Sequence, residues 1–137
     1  MKTVIFDQTK HFPNKVNFVD QNNVLVGYNL EQSCCELVSW AISETKDGLN
    51  PIFSGTNETE GGEFQIDDYC FDPSFFEREH KEEKYDENNA AIFKLVNFQG
   101  WGEEKKPDLY LRLENRHNGY YSHGFVFRGD IIVNDSI

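Results

Sequence analysis

The sequence predicts an α+β, β-rich domain built on a single antiparallel sheet, with a C-terminal three-stranded meander and one short helix. Short runs of residues alternate between apolar and polar, as half-buried strands do, and turn-forming residues separate the runs. Aromatic residues make up 15% of the 137 residues. Because each ring can bury about 150–250 Å², they supply enough apolar surface for a core, and residues 1–137 are predicted to form a single domain.

The first predicted strands form a β-hairpin. Lys15–Asp20 alternates between polar and apolar residues, 21–23 is an Asn-rich turn signal, and 24–28 is a β-rich return. Further along the chain, residues 63–66 follow two glycines and predict another short strand.

Residues 33–44 fit two structures. Ser33 and Glu36 match a capping box, which indicates the start of a helix. The alternation through Val38 and Ile42 instead fits one face of a strand. The β-rich context favours the strand, and the helix stays open as the alternative.

The one predicted helix spans residues 73–85. Asp72 is a good N-cap residue, and Pro73 suits the first helical turn because its missing N–H would have no partner there. Glu77 precedes Lys81 by four residues, which is the favourable order for an ion pair on a helix.

The C-terminal third predicts three strands in a meander. Residues 90–98 read as a strand that precedes it, and from Leu109 onward leucines alternate with polar residues. Asn118-Gly119 is a strong signal for a tight hairpin, because a type I′ turn needs positive φ at both central positions. Gly129-Asp130 marks a second tight turn before the apolar residues 131–133.

The charge of the chain is concentrated in one segment. The net charge is −11, and residues 57–88 hold twelve acids against three bases, a charge of −9 that leaves −2 for the rest. Such a chain is repelled by nucleic acids and by anionic membranes, whereas a basic protein is attracted. Aromatic residues lie among the acids, so the segment is a candidate recognition surface. The alternative is a solvated acidic face with the rings in the core. The predicted partner-binding residues are Asp67, Asp68, Tyr69, Phe71, Asp72, Phe75, Glu77, Glu79, Glu82 and Glu83.

No catalytic residue, cofactor or metal ligand is predicted, and one alternative of that kind stays open. The register set by Asn118-Gly119 would place Glu114 opposite His123, with His117 nearby, which is a possible acid–base or metal site. The simpler interpretation is a cross-strand ion pair. Adjacent Cys34 and Cys35 would point to opposite faces of a strand, so they are predicted to be small buried residues.

The three cysteines, an odd number with two adjacent, do not fit the disulfide framework of a secreted domain. The first residues contain only a short apolar run, which predicts no signal peptide, and no stretch approaches the ~20 apolar residues of a membrane span. The sequence therefore predicts a cytoplasmic protein.

Two resemblances bear on function. Cys34-Cys35-Glu36 and residues 117–125, with the sequence HNGYYSHGF, resemble motifs of a bacterial and phage domain family that has no assigned activity. In size and acidity the chain also resembles the immunity proteins of bacterial toxin–immunity pairs, including those of contact-dependent inhibition. This second resemblance implies a protein that binds and masks a cognate basic toxin domain, often a nuclease. A phage protein that mimics the charge of nucleic acid is a further alternative.

Overall fold

The computed structural model describes residues 3–9, 15–31, 37–56, 58–59, 62–82, 87–97, 106–117 and 123–137. These residues form twelve β-strands, and they contain no helix. The strands are β1 Thr3–Thr9, β2 Lys15–Asp20, β3 Leu25–Asn29, β4 Leu37–Ser43, β5 Phe53–Thr56, β6 Gly62–Asp67, β7 Tyr69–Phe71, β8 Glu77–Glu82, β9 Glu87–Asn97, β10 Leu109–His117, β11 Gly124–Arg128 and β12 Ile132–Ser136. Among the described residues no helix has the length and apolar character needed to cross a bilayer.

The strands form two antiparallel sheets that pack face to face. The first sheet has the strand order β12-β11-β3-β2-β1-β6. The second has the order β5-β4-β10-β9, and both β7 and β8 pair with the far side of β9. Because β9 has eleven residues, it accommodates these two short strands one after the other.

Several of the sequence predictions are confirmed. The hairpin of β2 and β3 is present, and Asn23 closes its turn with a φ of 62°, which Asn tolerates better than most residues. Residues 63–66 lie in β6, and the turn at Gly129-Asp130 joins β11 to β12. Within the ambiguous segment, Leu37–Ser43 is a strand, and residues 33–36 lie outside the described part of the chain.

The predicted α+β class and its helix at 73–85 are wrong. Residues 77–82 form strand β8, which pairs with β9 along its whole length. The charged residues of this segment have no apolar stripe that would hold a helix against the core. Phe76, just before β8, instead packs on Phe93, Phe125 and Phe127 between the sheets. Pairing with a long neighbouring strand therefore outweighs the weak local preference for a helix.

The predicted single sheet with a C-terminal meander is also wrong. Strand β10 lies between β4 and β9 in the second sheet, whereas β11 lies between β3 and β12 in the first. The chain crosses from one sheet to the other between these strands, and the Asn118-Gly119 turn itself lies outside the described residues. A turn signal is local, and it does not determine which sheet accepts the returning strand.

The core contains two groups of aromatic rings. Phe6 contacts Phe18, Trp40, Phe53 and Phe64, at ring-centre distances of 5.2–5.7 Å. The second group consists of Phe93 and the three rings that contact it, those of Phe76, Phe125 and Phe127. Both groups draw rings from both sheets, so they hold the two layers together.

One residue joins the two sheets at a corner. Strand β6 ends the first sheet, and β7 begins in the second after the single residue Asp68, whose φ is 68°. The side-chain amide of Asn97 donates a hydrogen bond of 2.9 Å to the backbone carbonyl of Asp68. Strands that switch sheets commonly do so through such a bend. Because of this corner, the acidic segment contributes β6 to the first sheet and β7 and β8 to the second.

Candidate functional site

Two of the predicted partner-binding aromatics belong to the core. Tyr69 and Phe71 are only 6% and 2% exposed, because β7 packs between β9 and the first sheet. The Tyr69 hydroxyl donates a 2.9 Å hydrogen bond to the carbonyl of Pro107. These two residues therefore stabilise the sandwich, and their assignment as anchors for a partner is corrected.

The third aromatic, Phe75, lies half-buried on the outer face of the second sheet. Its ring centre is 6.1 Å from that of Tyr110. The ammonium nitrogens of Lys46 and Lys94 lie 5.4 Å and 5.8 Å from the Phe75 ring centre. Both ammonium groups make cation–π contacts with the ring. The immediate charged neighbours of Phe75 are therefore cations, so Phe75 is not part of an anionic surface.

Two predicted acids are neutralised by ion pairs on the same outer face. Glu77 lies 3.0 Å from the Lys46 ammonium. Glu79 receives two hydrogen bonds of 3.2 Å from Arg112, whose side chain is 4% exposed, and it also pairs with Lys81. The Arg112 Nε donates to Glu114 at 3.1 Å. We call Glu79, Arg112 and Glu114 the Arg112 network. Its two carboxylates are balanced by Arg112 together with Lys81.

The pKa of Glu79 gives this network a pH dependence. Hydrogen bonds from Arg112 lower the pKa of the Glu79 carboxyl below its ordinary value of 4.5, although burial acts in the opposite direction. The stability that ionised Glu79 contributes is therefore present above about pH 4.5 and is lost as the pH falls through the lower, folded pKa. We expect the difference in unfolding free energy between the wild type and Glu79→Gln to shrink on acidification. Urea titrations between pH 7 and about pH 3 measure it, and a difference that stays constant would contradict the prediction.

Glu82 belongs to a different group, at the edge formed by β8 and β9. His80, Glu82 and Glu87 place potential metal-ligand atoms within 4.8 Å of one another. The Nδ1 atom of His80 contacts the side-chain oxygen of Asn89, and Nε2 lies 3.4 Å from Glu82. These hydrogen bonds, that of Asn89 first, raise the pKa of His80. The described neighbours of the imidazole, Asn89 and Glu82, account for its position at this edge. Glu83 lies outside the described residues.

The remaining predicted acids follow β6 and the corner after it. Asp67 accepts a 3.2 Å hydrogen bond from the hydroxyl of Thr3, and Asp68 is the corner residue. Asp72 bonds the backbone and hydroxyl of Ser74 and so closes the turn before β8. In the part of the chain that the structure describes, no Lys or Arg pairs with these three acids.

The register of the first sheet adds two acids that the segment alone did not single out. Glu63 of β6 lies directly opposite Asp7 of β1, and Asp67 lies opposite Thr3, all on the outer face. We call Asp7, Glu63, Asp67 and Asp68 the acidic border. Like charges directly opposite one another destabilise an antiparallel pair, so the isolated fold gains nothing from this placement. Asp7 lies far from residues 57–88 in sequence, and only strand pairing reveals its position.

The alternative site built on His123 and Glu114 is not assembled. The ring of His123 is buried in the first sheet, where Nδ1 lies 3.0 Å from the carbonyl of Asn29. The Glu114 side chain is on the outer face of the second sheet, with Arg112 and Asn88 as its partners. The predicted register failed because β10 and β11 belong to different sheets. Cys34, Cys35 and the side chain of His117 lie outside the described residues.

A shallow groove of about 270 Å³ crosses the outer face of the first sheet. Gly27 and Gly124 contribute no side chain to it, and Lys15, Asn17 and Asn134 lie along its walls. A Cβ atom on Gly27 would lie 3.0 Å from the Asn17 side-chain oxygen, so a larger residue would crowd this part of the groove. The described lining contains no His, Cys, Asp or Glu, and it therefore offers no acid–base pair.

No family model, curated protein or solved structure matches this chain. The resemblances to immunity proteins and to a bacterial and phage domain family therefore stay predictions.

Proposed function

We propose that this protein is a cytoplasmic immunity protein, which binds a cognate basic toxin domain and masks its active site. The observation that carries the proposal is the acidic border. Its carboxylates lie on β1, on the edge strand β6 and at the corner after β6, and no described Lys or Arg pairs with them. A basic protein would supply the missing cations.

In the proposed mechanism, one molecule of this protein binds one toxin domain and covers its active site, without catalysing a reaction. A nuclease holds phosphates with Lys and Arg, and carboxylates can pair with the same side chains. Charge of one sign on one side of a protein accelerates the encounter with a partner of the opposite sign, and this acceleration weakens as salt rises. Acids paired within the chain, such as Glu77 and Glu79, would contribute less to this field.

The test uses the product of the gene directly upstream of this one as the probe. Co-expression of this chain is expected to restore growth to cells that the probe inhibits. Charge reversal of Asp67→Lys with Asp68→Lys is expected to slow association by about tenfold or more at low salt. Stopped-flow mixing measures the rate, and the effect should diminish at about 0.3 M salt because of screening.

The matched control is Glu31→Lys with Asp130→Lys. Both residues are exposed, and they lie away from β6, so this variant has the same net charge as the first without changing the acidic border. We expect it to slow association far less. If both variants slow association equally, only net charge matters, and the proposal that the acidic border is the binding surface is contradicted. A probe that neither inhibits growth nor binds would remove the proposed function.

A further inference from the structure

Three of the four sheet edges carry features that discourage pairing with another strand. Strand β5 has only four residues, and the six residues of β8 are all acidic, basic or His. On β12, the inward-facing Asp135 is paired with Arg78 at 2.5 Å. Short length, charge and inward-pointing charged residues are the usual protections of edge strands.

Strand β6 has weaker protection, because its two charged residues, Glu63 and Asp67, are both acidic, point outward and attract a basic segment. It has six residues without Pro, Lys or Arg, and its described pairing is with β1 alone. Its acids point outward, whereas Phe64 and Ile66 point toward the second sheet. Phe64 stays 50% exposed, although its ring stacks on Phe6 at 5.4 Å. An edge of this kind is a template for an added strand.

An aromatic pocket opens beside this edge, between the two sheets. It has a volume of about 100 Å³ and is lined by Phe6, Trp40, Phe53 and Phe64 together with Gln8, Ser54 and Thr59. The polar groups at its base are satisfied, because Gln8 accepts a 3.0 Å hydrogen bond from Trp40 and donates one to the carbonyl of Thr56. A dry cavity of about 150 Å³ accepts a benzene-sized molecule, so this smaller pocket suits one aliphatic side chain.

The pocket depends on a glycine in β5. A Cβ atom on Gly55 would lie 2.5 Å from Trp40 Nε1 and 2.7 Å from the Gln8 side-chain oxygen. Only glycine therefore lets the Gln8–Trp40 hydrogen bond form at the base of the pocket.

We infer that β6 is a docking edge for an extended segment of a basic partner, which adds to the first sheet as a seventh strand. Backbone hydrogen bonds to the side of β6 that faces away from β1, where no described strand pairs, would hold the segment. Because side chains alternate along a strand, its basic residues would face Glu63 and Asp67 on the outer side. Its aliphatic residues would lie beside Phe64 on the inner side, and one of them would enter the aromatic pocket. The basic character of the segment rests on the proposed function.

The probe is a synthetic peptide of about seven residues that alternates Lys and Val, tested with the full chain. We expect it to slow hydrogen exchange at every second amide of β6, because alternate N–H groups of an edge strand face away from β1. Nuclear magnetic resonance resolves this pattern residue by residue. A peptide of the same composition with Lys and Val in separate blocks, and one that alternates Glu and Val, are expected to bind about tenfold more weakly or worse.

Two variants distinguish binding at β6 from nonspecific hydrophobic binding to the protein surface. Phe64→Ala is expected to weaken binding of the alternating peptide by about fivefold or more, because it removes the exposed wall of the pocket. Ile132→Ala also removes an exposed apolar side chain, 75% exposed, from the other edge strand of the same sheet. We expect it to leave binding unchanged.

The inference is overturned if the alternating peptide protects no β6 amides, if it protects β12 instead, or if the blocked peptide binds equally well. Any of these results leaves the charge-reversal experiment on the toxin intact. Conversely, a peptide that adds to β6 while the upstream gene product fails to bind would refute the proposed function and retain the docking edge.

Discussion

Replacing Arg112 by Leu is expected to lower the free energy of unfolding by about 2–4 kcal/mol. The guanidinium is nearly buried and bonds Glu79, Glu114 and the carbonyl of Lys46. Removing one partner of a buried ion pair typically costs about 3–5 kcal/mol, because a desolvated charge is left behind. The loss is smaller here since both carboxylates keep about 30% exposure, and Glu79 retains Lys81.

Two further variants make this measurement specific. Arg116→Leu removes an exposed arginine from the same face of β10, and it should change the unfolding free energy by no more than about 0.5 kcal/mol. Adding Glu79→Gln and Glu114→Gln to Arg112→Leu should restore part of the stability, because no carboxylate then lacks its cation. Urea denaturation followed by tryptophan fluorescence provides the values. An Arg112→Leu protein as stable as the Arg116→Leu protein would contradict the account of this network.

Replacing Asp20 by Ala is expected to cost about 3–5 kcal/mol, the largest effect of any polar substitution considered. The carboxylate is 5% exposed and accepts three backbone N–H groups. It bonds Asn22 at 2.9 Å and Val24 at 3.0 Å within the β2–β3 turn, and Phe71 of β7 at 2.9 Å. Each buried donor left without an acceptor costs about 1–3 kcal/mol. The third bond also ties the hairpin of the first sheet to the second sheet.

The control for Asp20 is Asp47→Ala. Asp47 also bonds a backbone N–H two residues later, that of Leu49 at 3.0 Å, but it is exposed. Water replaces its hydrogen bonds when it is removed, so we expect a loss of less than about 1 kcal/mol. The same urea titration compares the two variants. Similar losses for both would show that burial of Asp20 and its contact with β7 carry no extra stability.

The proposed function and the stability of the fold depend on different acids. Glu77 and Glu79 are paired within the chain, and substituting them should affect unfolding more than binding. The acidic border is the opposite case, since Asp7 and Glu63 face one another without a described cation. Neutralising Glu63 should therefore leave the fold as stable or more stable while it weakens a basic partner's binding. The described acids of residues 57–88 thus include some that are paired within the chain and others that belong to the acidic border.

The sequence by itself determined those features that depend on neighbouring residues. The β2–β3 hairpin, the β11–β12 hairpin and the alternating strand β10 were predicted, because turn chemistry and two-residue alternation are local properties. The acidic character of the middle segment was also visible in composition alone. The position of its rings was not: Tyr69 and Phe71 belong to the core, while Phe64 is half-exposed.

Only the tertiary structure decided which strands became neighbours. Strand β8 lacks an apolar face, so its sequence shows neither the 3.6-residue period of a helix nor the two-residue period of a strand clearly. Pairing with the long strand β9 makes it a strand. The separation of β10 from β11 into two sheets removed the alternative site at Glu114 and His123. Register across β1 and β6 brought Asp7 to Glu63 over more than fifty residues of chain. Pairing between distant strands is set by the burial of whole faces against one another, and no local pattern encodes it.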